Sequence, residues 1–140
     1  MPFFITAHQC QRGWSEYNNH CYKWVFNKVT WNTANSRCNR RGAHLASIQN
    51  SRENNFIAKY ISPVTGDPLV WLGLHRIHKG GLSEWTDGTA LSYTNWAPGQ
   101  PSKRWQDRVS SVFGNKKDYW QWNDKRCDTH YSYLCKKPKQ

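Results

Sequence analysis

Lys103, Arg104, Arg108, Lys116, Lys117, Lys125 and Arg126 place seven of the chain's 20 basic residues between positions 103 and 126. Trp105, Tyr119, Trp120 and Trp122 are interleaved with them. Guanidinium and ammonium groups bind sulfate, phosphate or carboxylate, and aromatic faces stack on sugar rings, so the stretch has the chemistry of a recognition surface. The competing reading is a solvated basic loop around core tryptophans. Trp122 suits the core, whereas Trp105, between Arg104 and Gln106, suits an exposed place. Bond-making chemistry is harder to find. His75 and His78 lack a third metal ligand, and Cys127 with nearby His130 lacks a group to orient the pair. The chain contains no G-x-S-x-G and no glycine-rich phosphate loop leading into a helix. An enzyme is the least expected reading.

The charge balance is lopsided, with 20 Lys and Arg against 9 Asp and Glu, a net +11. That favours anionic partners: sulfated glycans, acidic surfaces, mineral or nucleic acid. Aromatic residues make up 15% of the chain, nine of them Trp, so a few large rings must do much of the core packing. Five cysteines occur (Cys10, Cys21, Cys38, Cys127 and Cys135), and none is in a C-x-x-C pair. Widely spaced cysteines in a small domain read as an extracellular disulfide framework, and an odd number leaves one over. That compartment makes nucleic acid an unexpected physiological partner, despite the interleaved aromatics that would suit a single strand. No apolar run approaches the ~20 residues of a membrane span. Met1 to Gln9 lacks a charged n-region and reads as a tail on a mature, secreted form. There is no N-x-S/T site.

The elements that must position these groups follow from spacing. Gly13 to Phe26 reads as a hairpin turning at Asn18-Asn19. Thr30 is a helix N-cap, with Trp31, Ala34, Asn35 and Cys38 at helical spacing and a stop at Gly42. His44 to Ile48 reads as a short strand with His44 inside it as a core histidine. Asn50 and Glu53 have capping-box spacing before a second helix striped by Phe56, Ile57, Tyr60 and Ile61. Strands are predicted at Val70 to Leu74, Glu84 to Thr86, Val109 to Phe113, Tyr119 to Trp122 and Tyr131 to Cys135. Between Gly80 and about residue 107 the chain is turn-rich, and a loop of that length is usually functional. The fold class is α+β, with two helices, small antiparallel sheets and one long irregular loop. The expected division is a tail at 1–9, one domain at 10–137 and a short tail at 138–140.

Trp71-Leu72-Gly73-Leu74 resembles the W-I-G-L strand of C-type lectin-like domains, and His44-Leu45-Ala46-Ser47-Ile48 resembles that family's H-L-A-S-I strand. Trp85-Thr86-Asp87-Gly88, Asn95-Trp96, Gly99-Gln100-Pro101, Trp122-Asn123-Asp124 and Tyr133-Leu134-Cys135 follow in the family's order. The resemblance runs from about residue 10 to 137. It implies disulfides Cys10–Cys21 and Cys38–Cys135. It also implies a third bridge from Cys127 to the position held here by Arg108, which leaves Cys127 over and a disulfide-linked dimer as one of its fates.

The resemblance further implies a calcium and sugar site at Gln100, Ser102, Gln106, Asn123 and Asp124. Calcium takes six to eight oxygen ligands, with enough carboxylates to offset its dehydration. Ser102 stands where the family has Asn or Asp, and Gln106 where it has Glu. Asp124 alone carries a formal charge, while Gln100, Gln106 and Asn123 offer neutral carbonyls. Lys103, Arg104 and Arg108 beside the site, and Lys125 and Arg126 after it, oppose a dication. The expectation is a degenerate calcium site, weak at best, on a glycan-binding face of Gln100, Ser102, Lys103, Arg104, Trp105, Gln106, Asn123 and Asp124. The alternatives are a basic matrix- or mineral-associated domain, or a protein-binding one.

Overall fold

The computed structural model describes residues 9–62, 69–78, 83–101, 107–114 and 120–140, with the backbone alone at 77–78 and 107–112. Strand β1 (Ser15–Tyr17) turns at Asn18 and Asn19, both at positive φ, into β2 (His20–Val29). Helix α1 (Trp31–Arg40) starts at Thr30, whose side chain accepts from the Thr33 N–H, and the chain leaves it through Gly42 at φ +72°. Strand β3 (His44–Leu45) is only two residues long. Helix α2 (Ser51–Ile61) is capped by Asn50, whose Oδ1 accepts from Glu53 N at 2.8 Å. The reciprocal half of the box reaches one residue further back, because Glu53 Oε1 accepts from Gln49 N at 2.8 Å. Then come β4 (Val70–His78), β5 (Glu84–Trp85), β6 (Asp107–Phe113), β7 (Trp122–Arg126) and β8 (Tyr131–Pro138).

Two helices with a sheet make this an α+β fold. Rather than standing apart as small sheets, the strands among the described residues join in one, ordered β1-β2-β8-β4-β6-β7, with β3 on β8 and β5 on β4. Pairing is antiparallel except for β4 with β8. Between Val25 and Val29 four steps of β2 face two of β8 (Val25↔Tyr133, Val29↔Tyr131), so β2 bulges there.

Several expectations need correction. His44 is exposed, not in the core: β3 is an edge whose alternation turns His44 out and Leu45 in. The strand expected at Tyr119 to Trp122 instead begins at Trp122 and runs to Arg126, because Trp120 sits in a turn at φ +60°. β4 continues to His78, four residues past the apolar run, because β6 supplies ladder partners there (His75↔Ser110, Arg76↔Val109, His78↔Asp107).

The large rings are placed by their polar handles. The indole N–H groups of Trp24, Trp31, Trp71 and Trp122 donate to Ser132 Oγ (3.0 Å), Leu72 O (2.9 Å), Val29 O (2.9 Å) and Asn54 Oδ1 (2.9 Å). These four keep partners because an unsatisfied buried N–H is costly, whereas the buried Trp85 indole N–H has none among the described residues. One apolar cluster gathers Tyr22, Ile57, Leu72, Trp85, Phe113 and Trp122; the other gathers Trp31, Cys38, Leu45, Trp71 and Tyr133. Gly73 is required where β4 passes the chain after β3: a Cβ there would lie 2.5 Å from Leu45 O, while its N–H donates to Ala46 O at 2.9 Å. Disulfides join Cys10 to Cys21 and Cys38 to Cys135, as the resemblance implied.

A buried ion pair fastens α2 to β8. Lys136 Nζ lies 2.6 Å from Glu53 Oε2, each side chain 6% exposed. Tyr22 donates to the same carboxylate at 2.5 Å, and Lys136 also donates to Ser47 O (3.1 Å) and Ser47 Oγ (3.2 Å). Burial, followed by the hydrogen bond to Glu53, pushes the Tyr22 hydroxyl far above its ordinary pKa, so it stays a donor. Ser47 in turn donates to Asp87, at the entrance to the long loop.

Candidate functional site: the long-loop face

The loop is fastened at its entrance and again at its midpoint. At the entrance, Asp87 Oδ1 accepts from Thr89 N (3.0 Å) and Thr89 Oγ1 (2.6 Å), and Gln49 Nε2 donates to Thr89 Oγ1 at 2.7 Å. Burial alone would raise the Asp87 pKa; hydrogen bonds from Ser47 and Thr89 and the charge of Lys136 outweigh it and hold the carboxyl below its usual range. An ionised acceptor strengthens each of those bonds.

At the midpoint the loop lies along β7. Trp122 N donates to Asn95 O at 2.8 Å, Ala97 N donates to Trp122 O at 2.9 Å, and Asn95 Nδ2 donates to Trp120 O at 3.2 Å. The Trp122 ring, fully buried, meets Trp85, Tyr93 and Trp96 edge-on at centroid distances of 5.7, 5.8 and 5.8 Å. Trp122 is thus core, as its sequence context suggested, but a core that the loop itself helps to build. Asn54 on α2 fixes the indole; its position beside the capping-box Glu53 gave no sign of that role.

The chain then turns through Gly99 (φ +80°), with Gln100 N donating to Ala97 O at 2.9 Å, and crosses a cis Gln100–Pro101 bond. This turn brings Gln100 against β7, where its Oε1 accepts from Asp124 N at 3.3 Å. Gln100 therefore meets Asp124, with Asn123 its neighbour along β7; Asp124 is buried at 4% exposure, and Gln100 and Asn123 are half-buried. Ser102, Lys103, Arg104, Trp105 and Gln106 lie outside the described residues.

As calcium donors the three described residues fit poorly. They bring one formal charge, and the Gln100 carbonyl already accepts from a backbone N–H, against six to eight oxygens for the ion. Among the described residues no group of three or more His, Cys, Asp or Glu could hold a metal. His75 stacks on Trp31 at 4.7 Å, and burial lowers its pKa against a smaller raising effect of Glu84. Cys127 is half-buried against the second apolar cluster, belongs to neither disulfide, and accepts from Trp31 N at 3.1 Å through its carbonyl. Continuing the β6–β7 register by one residue beyond Val109↔Arg126 sets Arg108 opposite Cys127, the place where the resemblance implied a bridging cysteine.

The family model for the lectin C-type domain matches residues 27–137. The chain belongs to the C-type lectin family. Among curated relatives, C-type lectin 1 of Hydrophis hardwickii is 36% identical over 128 residues, covering 90% of this chain and 78% of the relative. Among solved structures, a calcium-independent type II antifreeze protein is 27% identical with a TM-score of 0.81, covering 94% of this chain and 96% of that one. The complex of SPL-1 with GlcNAc is 26% identical with a TM-score of 0.82, covering 92% and 95%. C-type lectin domains are generally binding modules, not enzymes, and commonly take calcium. Among the described residues no helix is long and apolar enough to cross a membrane.

Proposed function

We propose that this C-type lectin domain acts outside the cell as a carbohydrate-binding module. Its long-loop face takes glycans, anionic ones included, without needing tightly bound calcium. The observation that carries the reading is the docking of the loop on buried Trp122, which brings Gln100 against the Asp124 backbone of β7, one residue from Asn123. Preorganisation of this kind lowers the ordering cost of binding. Ser102, Lys103, Arg104, Trp105 and Gln106, next in the sequence, complete the proposed ligand set with charged donors and one aromatic face. The relative SPL-1 in complex with GlcNAc supports a sugar as ligand, and the calcium-independent antifreeze relative supports a fold that works without the ion. The two disulfides suit an oxidising, extracellular setting.

A glycan array probed in calcium and again in chelator tests the proposal. Binding that survives the chelator and weakens in Trp105→Ala and Lys103→Ala/Arg104→Ala is the expected result. Mannose or galactose binding abolished by the chelator would overturn the calcium-poor reading. Binding indifferent to sugar identity would favour the matrix or mineral alternative.

A further inference from the structure

We infer that the domain carries a second anion site, remote from the long loop, in an arginine-lined hollow between α1 and the bulge of β2. It is built to hold a sulfated sugar unit.

Asn27, Arg37, Arg40, Arg41 and Tyr133 line an open hollow of ≈ 560 Å³. The three arginines come from the last turn of α1 and its C-cap, at i, i+3 and i+4, so they share one helix face. Asn27 lies within the bulged part of β2, and Tyr133 on β8 forms a buried floor. The bulge is what carries Asn27 to the rim; regular pairing would have left β2 flush with β8.

The bland explanation is that arginines favour a helix C-terminus, where they offset the dipole. One bond fits that: Arg41 Nη1 donates to Arg37 O at 3.4 Å, and also to Tyr133 Oη at 3.4 Å. Among the described residues it leaves most of the donors unused, since each guanidinium carries five N–H groups. Among the described residues none of the three arginines joins an ion pair. The sequence offers no local acid either: no Asp or Glu stands between Glu16 and Glu53, a stretch holding Lys23, Lys28, Arg37, Arg40, Arg41 and Arg52. Like charges on adjacent helical turns repel, and an anion between them relieves that.

Size and chemistry favour a sulfated sugar over a bare ion. A sulfate alone would fill a small part of the hollow, whose volume falls in the range of small-ligand sites. The exposed Asn27 amide supplies a neutral hydrogen-bonding group for sugar hydroxyls, and the arginine forks supply charge for the sulfate. β8, β4 and β6 separate β2 from β7, so the hollow stands about 19 Å across the sheet from Gln100 and Asn123 at 4.8 Å per strand. The site does not depend on how the long-loop face is read.

The test is calorimetric titration with a size-defined heparin oligosaccharide. Arg40→Ala/Arg41→Ala, both exposed, should weaken binding about tenfold or more. Arg52→Ala/Lys59→Ala, a charge-matched exposed pair on α2, should leave it within about twofold. Arg40→Lys/Arg41→Lys keeps the charge and removes the forks, and should still lose several-fold in affinity. Near-ultraviolet circular dichroism checks that each variant is folded. Equal losses in the two alanine pairs would reduce the hollow to diffuse charge and overturn the proposal. So would loss only in Lys103→Ala/Arg104→Ala, which would assign the oligosaccharide to the long loop. Single-stranded DNA binding at the hollow as tightly as heparin would overturn the sulfated sugar as its ligand.

Discussion

Replacing Lys136 by Met should remove the cation of the buried pair while keeping its stem. Glu53 then keeps Tyr22 Oη and Gln49 N as donors but loses the positive charge 2.6 Å away, in a place where both side chains are 6% exposed. Breaking one half of such a pair costs about 3–5 kcal/mol, mostly the penalty of an uncompensated buried charge. Unfolding entropy of about 2.1 cal/mol/K per residue converts this, for 140 residues, to a fall in Tm of about 10–17 °C. The loop entrance should loosen as well, because Ser47 loses the ammonium that holds it toward Asp87. Thermal unfolding by circular dichroism reads the first effect, and amide exchange at Thr89 reads the second. The double variant Glu53→Gln/Lys136→Met should recover part of the lost stability, since the Gln amide keeps hydrogen-bonding partners for Gln49 N and Tyr22 Oη without a charge to desolvate. A fall in Tm below about 3 °C for Lys136→Met, or a double variant no better than the single, would refute the reasoning.

Three further outcomes are expected. Gly73→Ala should destabilise by about 2 kcal/mol or more in urea unfolding, because its Cβ meets Leu45 backbone oxygen at 2.5 Å and neither strand can give way cheaply. Stability should fall as pH drops from 7 through the unfolded histidine value of 6.5 toward the lowered value of His75, because the unfolded chain takes up that proton first; His75→Phe should flatten this slope. Asn54→Leu should leave the Trp122 indole N–H buried without its acceptor, costing about 1–3 kcal/mol in denaturant unfolding and weakening glycan binding through the loop that Trp122 holds.

Local signals were legible wherever one residue decides the geometry. Thr30 and Asn50 announced both helices, and Asn18-Asn19 announced the first turn, because capping and positive φ depend on side chains in the sequence. Long-range matters were not legible. β4 outran its apolar stretch because β6 continues the ladder, and His44 faces out because β3 is a two-residue edge. Of the site, the family motifs led to Gln100, Asn123 and Asp124. The role of Asn54 and the meeting of Asn27 with Arg37, Arg40 and Arg41 depend on packing between α2 and β7 and on the bulge in β2, which no local pattern declares.

The central claim is that the long-loop face binds glycan with little need for calcium. Titration of the intact chain with a glycan selected on the array, in millimolar calcium and in excess chelator, tests it most directly. The account predicts affinities that agree within about threefold, since Gln100, Asn123 and Asp124 offer the ion one charge and a carbonyl already in use. A loss of binding in chelator of about a hundredfold or more, restored by adding calcium back, would contradict it.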